Sequence, residues 1–217
     1  MATLKVKTAF ALIVGALLRS SVAAPPQTAD PLDDLFARGR SAQTTTRTIT
    51  AAFTETSVSS LLRDPQVATG TLVAVVPIRV VMSYTSPVAK TVALDDKRLV
   101  VAWPSGQRRE EIDIAATQRR VQKYFVDASP RQLREQFDIT LANDMKDAAY
   151  RLDLVPRRKQ IAEGLARLRI WVDRTRFVMI KMTLDFPGGD AKTLELRDVR
   201  TNVAIDERAF TVLGRGR

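Results

Sequence analysis

The sequence predicts an α+β protein, mainly β, in which helices cover one face of a curved antiparallel sheet. Apolar and polar residues alternate through 168–199. Leu168, Ile170 and Val172 fall on one side against Arg167, Arg169, Trp171 and Asp173, and Val178, Ile180, Met182 and Leu184 fall against Lys181, Thr183 and Asp185. A period of two marks a half-buried antiparallel strand. Phe186-Pro187-Gly188-Gly189-Asp190 leads to a third strand bearing Leu194 and Leu196, and its glycines suit the positive φ of a tight reversal. Two amphipathic helices in the middle of this strand-rich chain are placed to lie across an open sheet face as a lid.

Taken in order, Lys5 and Lys7 precede an apolar run, 9–18, that is short of the ~20 residues a membrane span needs. Small residues follow, so 1–23 is expected to be a secretory signal peptide, cut after Ala23 with Ser21 two residues before it. Cleavage after Ala24 is the near alternative, an uncleaved anchor is the rival, and Arg19 is unusual in such a segment. With no cysteine to carry a lipid anchor, the expected destination is the periplasm of a Gram-negative host. Residues 24–46 read as a polar leader and one helix. Asp30 caps it, Pro31 opens it, Leu32, Leu35 and Phe36 form its apolar stripe, and Gly39 is its expected stop.

Residues 47–212 read as a single domain. The composition of 44–59 predicts a first strand carrying Phe53, with 60–65 as its exit loop. Strands at 70–76 and 79–85 are bounded by Pro77 and Pro87, the second placing Val80, Met82 and Tyr84 on one face. Runs 90–94 and 98–103 flank the Asp95-Asp96 turn, and a second turn at 103–106 precedes a charged run to Asp113. Helices are expected at 117–126, with Val121, Tyr124 and Phe125, and from Ser129-Pro130, with Leu133 and Phe137. Strands 137–141 and 150–154, a basic connection at 156–164 and the 168–199 meander follow. The segment 199–210 is expected to be extended, and 213–217 a flexible tail.

Composition removes several functions. The 217 residues include no cysteine and no histidine, which excludes disulfides, thiolate metal sites and Ser-His-Asp or Cys-His catalysis. Taking Lys5, Lys7 and Arg19 from the 34 basic residues leaves 31 against 24 acidic, or +7. Arg108-Arg109, Arg119-Arg120 and Arg157-Arg158-Lys159 are scattered and lack interleaved aromatics, so no nucleic-acid partner is expected. A solvated surface is the plain reading of each, and attraction to anionic headgroups or an acidic partner the other. Asp95-Asp96 and Glu110-Glu111 are adjacent pairs whose members point to opposite faces, so neither converges on a substrate. No catalytic residue, cofactor or metal is expected.

What remains is apolar surface. The candidate ligand-binding residues are Leu72, Val80, Met82 and Tyr84 from the early strands and Phe125 and Leu133 from the helices. The final meander adds Leu168, Ile170, Val172, Val178, Ile180, Met182, Leu184, Leu194 and Leu196. Pattern alone fits a closed core or an apolar cavity, the closed core being the commoner outcome. A register slip of one residue would invert the face.

Several stretches carry a resemblance. Phe53-Thr54-Glu55 resembles a Phe-x-Gln motif, Gly70-Thr71-Leu72 a Gly-x-Leu motif, and Pro77-Ile78-Arg79 with Tyr84 and Pro87 a Pro-x-x-Arg-like and Tyr-x-x-Pro run. Leu184-Asp185-Phe186, and Asn202-Val203 with Asp206 and Phe210, resemble the closing strands of the same family. That family is the LolA-type periplasmic lipoprotein carriers. The resemblance implies an incomplete antiparallel β-barrel, a half-barrel domain over 47–212, closed by helices that cover its concave face around an apolar cavity holding the acyl chains of a lipoprotein. It also implies transfer from an inner-membrane transporter to an outer-membrane acceptor without covalent chemistry, and the carrier is expected to be a monomer. Two departures stand out. Val76 occupies the place of an arginine associated in the family with holding the lid shut, and 110–127 is unusually rich in charge. Both point to a divergent member with another lipid cargo, such as a glycolipid. The rival of a different class is a periplasmic sensor or interaction domain that uses the same half-barrel to bind a partner protein; an enzyme comes third.

Overall fold

The computed structural model describes residues 30–76, 79–106, 108–121, 128–142 and 147–214. A first run of strands comprises β1 (Thr48–Val58), β2 (Gln66–Val75), β3 (Arg79–Ser86), β4 (Lys90–Leu94), β5 (Arg98–Ala102) and β6 (Arg109–Asp113). A second comprises β7 (Phe137–Ala142), β8 (Ala149–Pro156), β9 (Arg167–Asp173), β10 (Met179–Asp185) and β11 (Ala191–Thr201). All eleven form one antiparallel sheet in the order β6-β5-β4-β3-β2-β1-β11-β10-β9-β8-β7. A twisted sheet of more than about ten strands curls. Among the described residues nothing pairs β6 with β7, so the curl stops short of a closed barrel.

The described residues begin with helix α1 (Pro31–Thr45), run outward from β1 to β6, cross by α2 (Ala115–Val121) and α3 (Pro130–Gln136), and return from β7 to β11, which pairs with β1. The two halves therefore meet at the centre of the sheet. Their junction is clasped by Asn202, whose Oδ1 accepts from the Arg47 amide at 2.8 Å and whose Nδ2 donates to the Thr45 carbonyl at 3.0 Å.

Local chemistry sets the helices. At the start of α1 the Asp30 carboxylate accepts from the Leu32 amide at 2.9 Å, and Asp33 and Asp34 sit at the positive end of the helix. Gly39 does not stop this helix as expected; it is buried within it, and the helix ends at Thr45, before an extended Thr46. The first strand accordingly begins at Thr48. The expected capping of α3 is present as a reciprocal pair, Ser129 Oγ accepting from the Gln132 amide at 3.2 Å and Gln132 Oε1 from the Ser129 amide at 2.8 Å. The helix expected at 117–126 begins at Ala115, just after Asp113, whose carboxylate accepts from the Ala115 amide at 2.8 Å. Tyr124 and Phe125 lie outside the described residues.

Three further expectations are corrected. The charged run to Asp113 contains the edge strand β6; Glu110 and Glu111 pair with arginines there, and charge is a common protection for an exposed edge. The basic connection 156–164 contains a short helix, α4 (Lys159–Ala162). The segment 199–210 is not extended throughout. Asn202, with φ 58°, turns the chain out of β11, and Asp206 caps a 3-10 helix at Glu207–Leu213. This helix takes in Leu213, assigned above to the tail, because Phe210 and Leu213 are buried with Val81, Ala93 and Val100. Arg79 holds it from β3, donating to Glu207 at 3.0 Å and lying 4.7 Å over the Phe210 ring.

The sheet therefore has two cores. The smaller lies on the convex side of β3–β5, and the larger fills the concave side. Burial on both faces explains why Val80-Val81-Met82 and Leu99-Val100 read as unbroken apolar runs rather than alternating ones.

Candidate ligand-binding face of the sheet

The inward face is built by parity and register. Along β9, Leu168, Ile170 and Val172 are buried and their neighbours are not. Leu184 stands opposite Leu168, and Met182 stands opposite both Ile170 and Leu194. The Gly188-Gly189 turn, with φ of 94° and 89°, sets this register. A second irregularity preserves it: Asp198, at φ 52°, adds a residue to β11 opposite β1, so that Val199 rather than Asp198 follows Leu196 into the core. A bulge at 179–181 of β10 has the contrary effect on Ile180, which is only partly buried while Val178 is buried.

On the other side of β1, Phe53 pairs with Gly70 on β2, and Gly70 with Tyr84 on β3. The Phe53 and Tyr84 rings meet edge to face at 4.9 Å. A Cβ built on Gly70 would stand 2.1 Å from the Ser83 carbonyl oxygen and 2.8 Å from the Phe53 ring. This is why the sequence places glycine between the two aromatics.

Of the fifteen candidate residues, thirteen are buried in one continuous cluster: Leu72, Val80, Met82, Tyr84, Leu133, Leu168, Ile170, Val172, Val178, Met182, Leu184, Leu194 and Leu196. Ile180 packs against its margin, and Phe125 lies outside the described residues. Leu32, Leu35 and Phe36 of α1 and Leu133 of α3 enter the same cluster, so these helices cover the concave face. Leu168, Met182 and Leu194 are 0% exposed; the face is shut to water. Arg134 of α3 pairs with Asp30 and Asp33 beside and within α1, the latter at 3.4 Å, and ties the two covers together.

Three inward polar residues beside Tyr84, near one rim, are absent from the candidates that alternation picks out: Glu55, Lys90 and Lys192. Glu55, 7% exposed, accepts from the Tyr84 hydroxyl and from Lys192 Nζ, both at 2.8 Å. Lys90 lies 4.6 Å over the Tyr84 ring. Burial, and then the charge of Glu55 and its hydrogen bond, push the Tyr84 phenol far above its ordinary value, so it remains neutral. Parity was the available signal: Glu55 is two residues from Phe53, Lys192 two from Leu194.

An open antiparallel sheet whose apolar concave face is covered by helices is the class of fold that these residues build. The chain belongs to the family described as outer membrane lipoprotein carrier protein LolA, whose match spans residues 44–213. Among solved structures it is similar to an uncharacterized conserved protein of Thermus thermophilus, at 8% identity over 83% of this chain and 93% of that one, with a TM-score of 0.51. It is also similar to MucB, at 16% identity over 83% of this chain and 62% of that one, with a TM-score of 0.50. These likenesses are of fold alone. Comparison with curated proteins found no match. No helix among the described residues is long and apolar enough to cross a membrane.

Proposed function

We propose that the protein is a monomeric periplasmic carrier, exported by the signal segment 1–23, that holds acyl chains of a lipoprotein or another lipid against the concave face. It takes this cargo from an inner-membrane transporter and delivers it to an outer-membrane acceptor. The observation that carries the reading is that α1 and α3 cover the concave apolar face as separate short helices. Lifting α1 exposes Leu32, Leu35 and Phe36, at about 1.5–3 kcal/mol each. An acyl chain contributes ~0.8 kcal/mol per buried methylene, so roughly ten methylenes offset the loss. Cargo and cover are therefore close enough in free energy to exchange. With Val76 in place of the family arginine, the tie between covers falls to Arg134 with Asp30 and Asp33.

The test is purification from the host envelope, extraction with organic solvent and mass spectrometry, beside titration with a fluorescent fatty acid. Co-purifying lipid and saturable binding are expected. Absence of both would overturn the carrier reading.

A second reading, the interaction domain, is favoured by one rim of the sheet. Leu61 is 90% exposed in the β1–β2 loop, and Leu62, Val67 and Val88 stand exposed at the same end. It expects a partner protein recovered by cross-linking at Leu61 and no co-purifying lipid.

A further inference from the structure

An apolar face built only to hold hydrocarbon has no use for buried charge. Removing two ions from water costs several kcal/mol each, and an apolar pair of the same volume commonly serves stability as well or better. Yet Glu55, Tyr84, Lys90 and Lys192 lie at neighbouring positions on four strands, all on the concave side. Their inward parity follows from the register: Lys90 stands opposite Tyr84, two residues before Val92, which faces Met82, while Lys192 stands opposite Leu184. The Lys192 side chain is 19% exposed and that of Glu55 9%.

Charge and position agree. Lys192 shares its charge with Glu55, Tyr84 is a neutral phenol donating to the other carboxylate oxygen, and Lys90 forms no ion pair among the described residues. Among these four side chains, two ammonium groups stand beside one carboxylate. The cluster lies near the end of β1 from which the β1–β2 loop leaves, where β11 begins at Ala191. From Glu55 toward the opposite end, the inward positions of β1 are Phe53, Ala51 and Ile49, roughly 20 Å of apolar strand. Charge at the rim with hydrocarbon below it mirrors an amphiphile.

We infer that Lys192 and Lys90 form a head-group site: the cargo is an acyl amphiphile whose polar end is anionic, a carboxylate or a phosphate, and whose chain lies along the concave face. This rests on the carrier reading and specifies its ligand. Glu55 occupies Lys192 as an internal stand-in for the head group. Loading exchanges one anionic partner of Lys192 for another, so the buried ammonium stays paired, while Glu55 keeps the hydrogen bond from the Tyr84 hydroxyl.

The experiment compares binding of palmitate with methyl palmitate, and of lysophosphatidate with the matching monoacylglycerol, to the full chain. Each pair differs in head charge and keeps its chain, and the two pairs separate a carboxylate from a phosphate source. The wild type should prefer the anionic member of at least one pair by about tenfold, the scale of one charge-assisted hydrogen bond. Lys192→Met should cut that ratio toward one, and Glu55→Gln, which removes the competing anion, should raise it. Because Lys192→Met leaves Glu55 buried alone, the double variant Glu55→Gln/Lys192→Met serves as the measurement if the single variant does not fold. Equal binding within both pairs, or an unchanged ratio in a folded variant, would overturn the head-group site while chain binding stands. Failure of the wild type to bind any of the four would overturn the carrier reading and this inference with it.

Discussion

Replacing Gly70 with alanine tests the geometry at the heart of the sheet. The new Cβ would lie 2.1 Å from the backbone oxygen of Ser83, where a carbon normally sits at about 3.3–3.6 Å from an oxygen. More than 1 Å must be found, and the obstacle is main chain. Gly70 is paired to Phe53 on one side and Tyr84 on the other, so β2 cannot retreat from β3 without pressing on β1. The Phe53 ring at 2.8 Å blocks the same space. Overpacking of this kind costs about 3 kcal/mol or more. At roughly 2–4 °C per kcal/mol for a domain of this size, Tm should fall by about 6–12 °C. Thermal unfolding followed by far-UV circular dichroism measures it. Adding Phe53→Leu should restore only a minor part, because the backbone clash remains. A Gly70→Ala protein melting within about 2 °C of wild type would refute the reasoning.

Leu194→Ala, at a fully buried position of β11, should cost about 2–5 kcal/mol in denaturant unfolding; a loss under 1 kcal/mol would mean the face is not packed there. Arg134→Ala removes exposed ion pairs and should cost under ~1 kcal/mol of stability, yet it should speed uptake of a fluorescent fatty acid in stopped flow; an unchanged rate would remove Arg134 as the tie. Tyr84→Phe withdraws a donor from buried Glu55 and should cost about 1–3 kcal/mol, read by the same melts. Acid should destabilise the fold through Asp173 in the β9–β10 turn. Partial burial alone would raise its pKa, but hydrogen bonds from the Arg176 side chain and from the Arg176 and Thr175 amides, with the Arg176 charge, outweigh it and hold the carboxyl below its ordinary value. A folded pKa below the unfolded one gives stability that is present above about pH 4 and lost as pH falls through the folded value. Asp173→Asn should flatten the acid limb of a Tm-against-pH curve; an unaltered limb would show that this turn does not contribute.

The final meander was legible because apolar and polar residues alternate along it, so the pattern identified Leu168, Ile170, Val172, Met182 and Leu184 without knowledge of their partners, although Thr183 between the last two is buried as well. Both glycines of the β10–β11 turn were legible for their conformational freedom. The C-terminal 3-10 helix was not. Val199 and Phe210 are both apolar within a β-like composition, and the turn between them depends on Asn202 at positive φ bonding to Arg47 and Thr45, far away in sequence. Gly39 misled because a glycine can also sit inside a helix, where here it is buried. At the candidate site, apolar positions were found and Glu55 and Lys192 were missed, since a list gathered by hydrophobicity discards charged residues that share the same parity. Ile180 was placed with them by alternation, and the bulge that partly exposes it leaves no mark in composition.

The union of β1 with β11 governs how the molecule comes into being. The two central neighbours are almost the first and last strands to leave a ribosome, so β1 waits with one edge bare while nearly everything else is made. Contacts so distant along the chain form slowly. Until the keystone strand arrives, the nascent protein is two incomplete ribbons with greasy, unpaired borders, and it needs shelter from its own kind. Shortening the gene by its last few dozen codons would therefore remove β11 and leave β1 without its partner on that side.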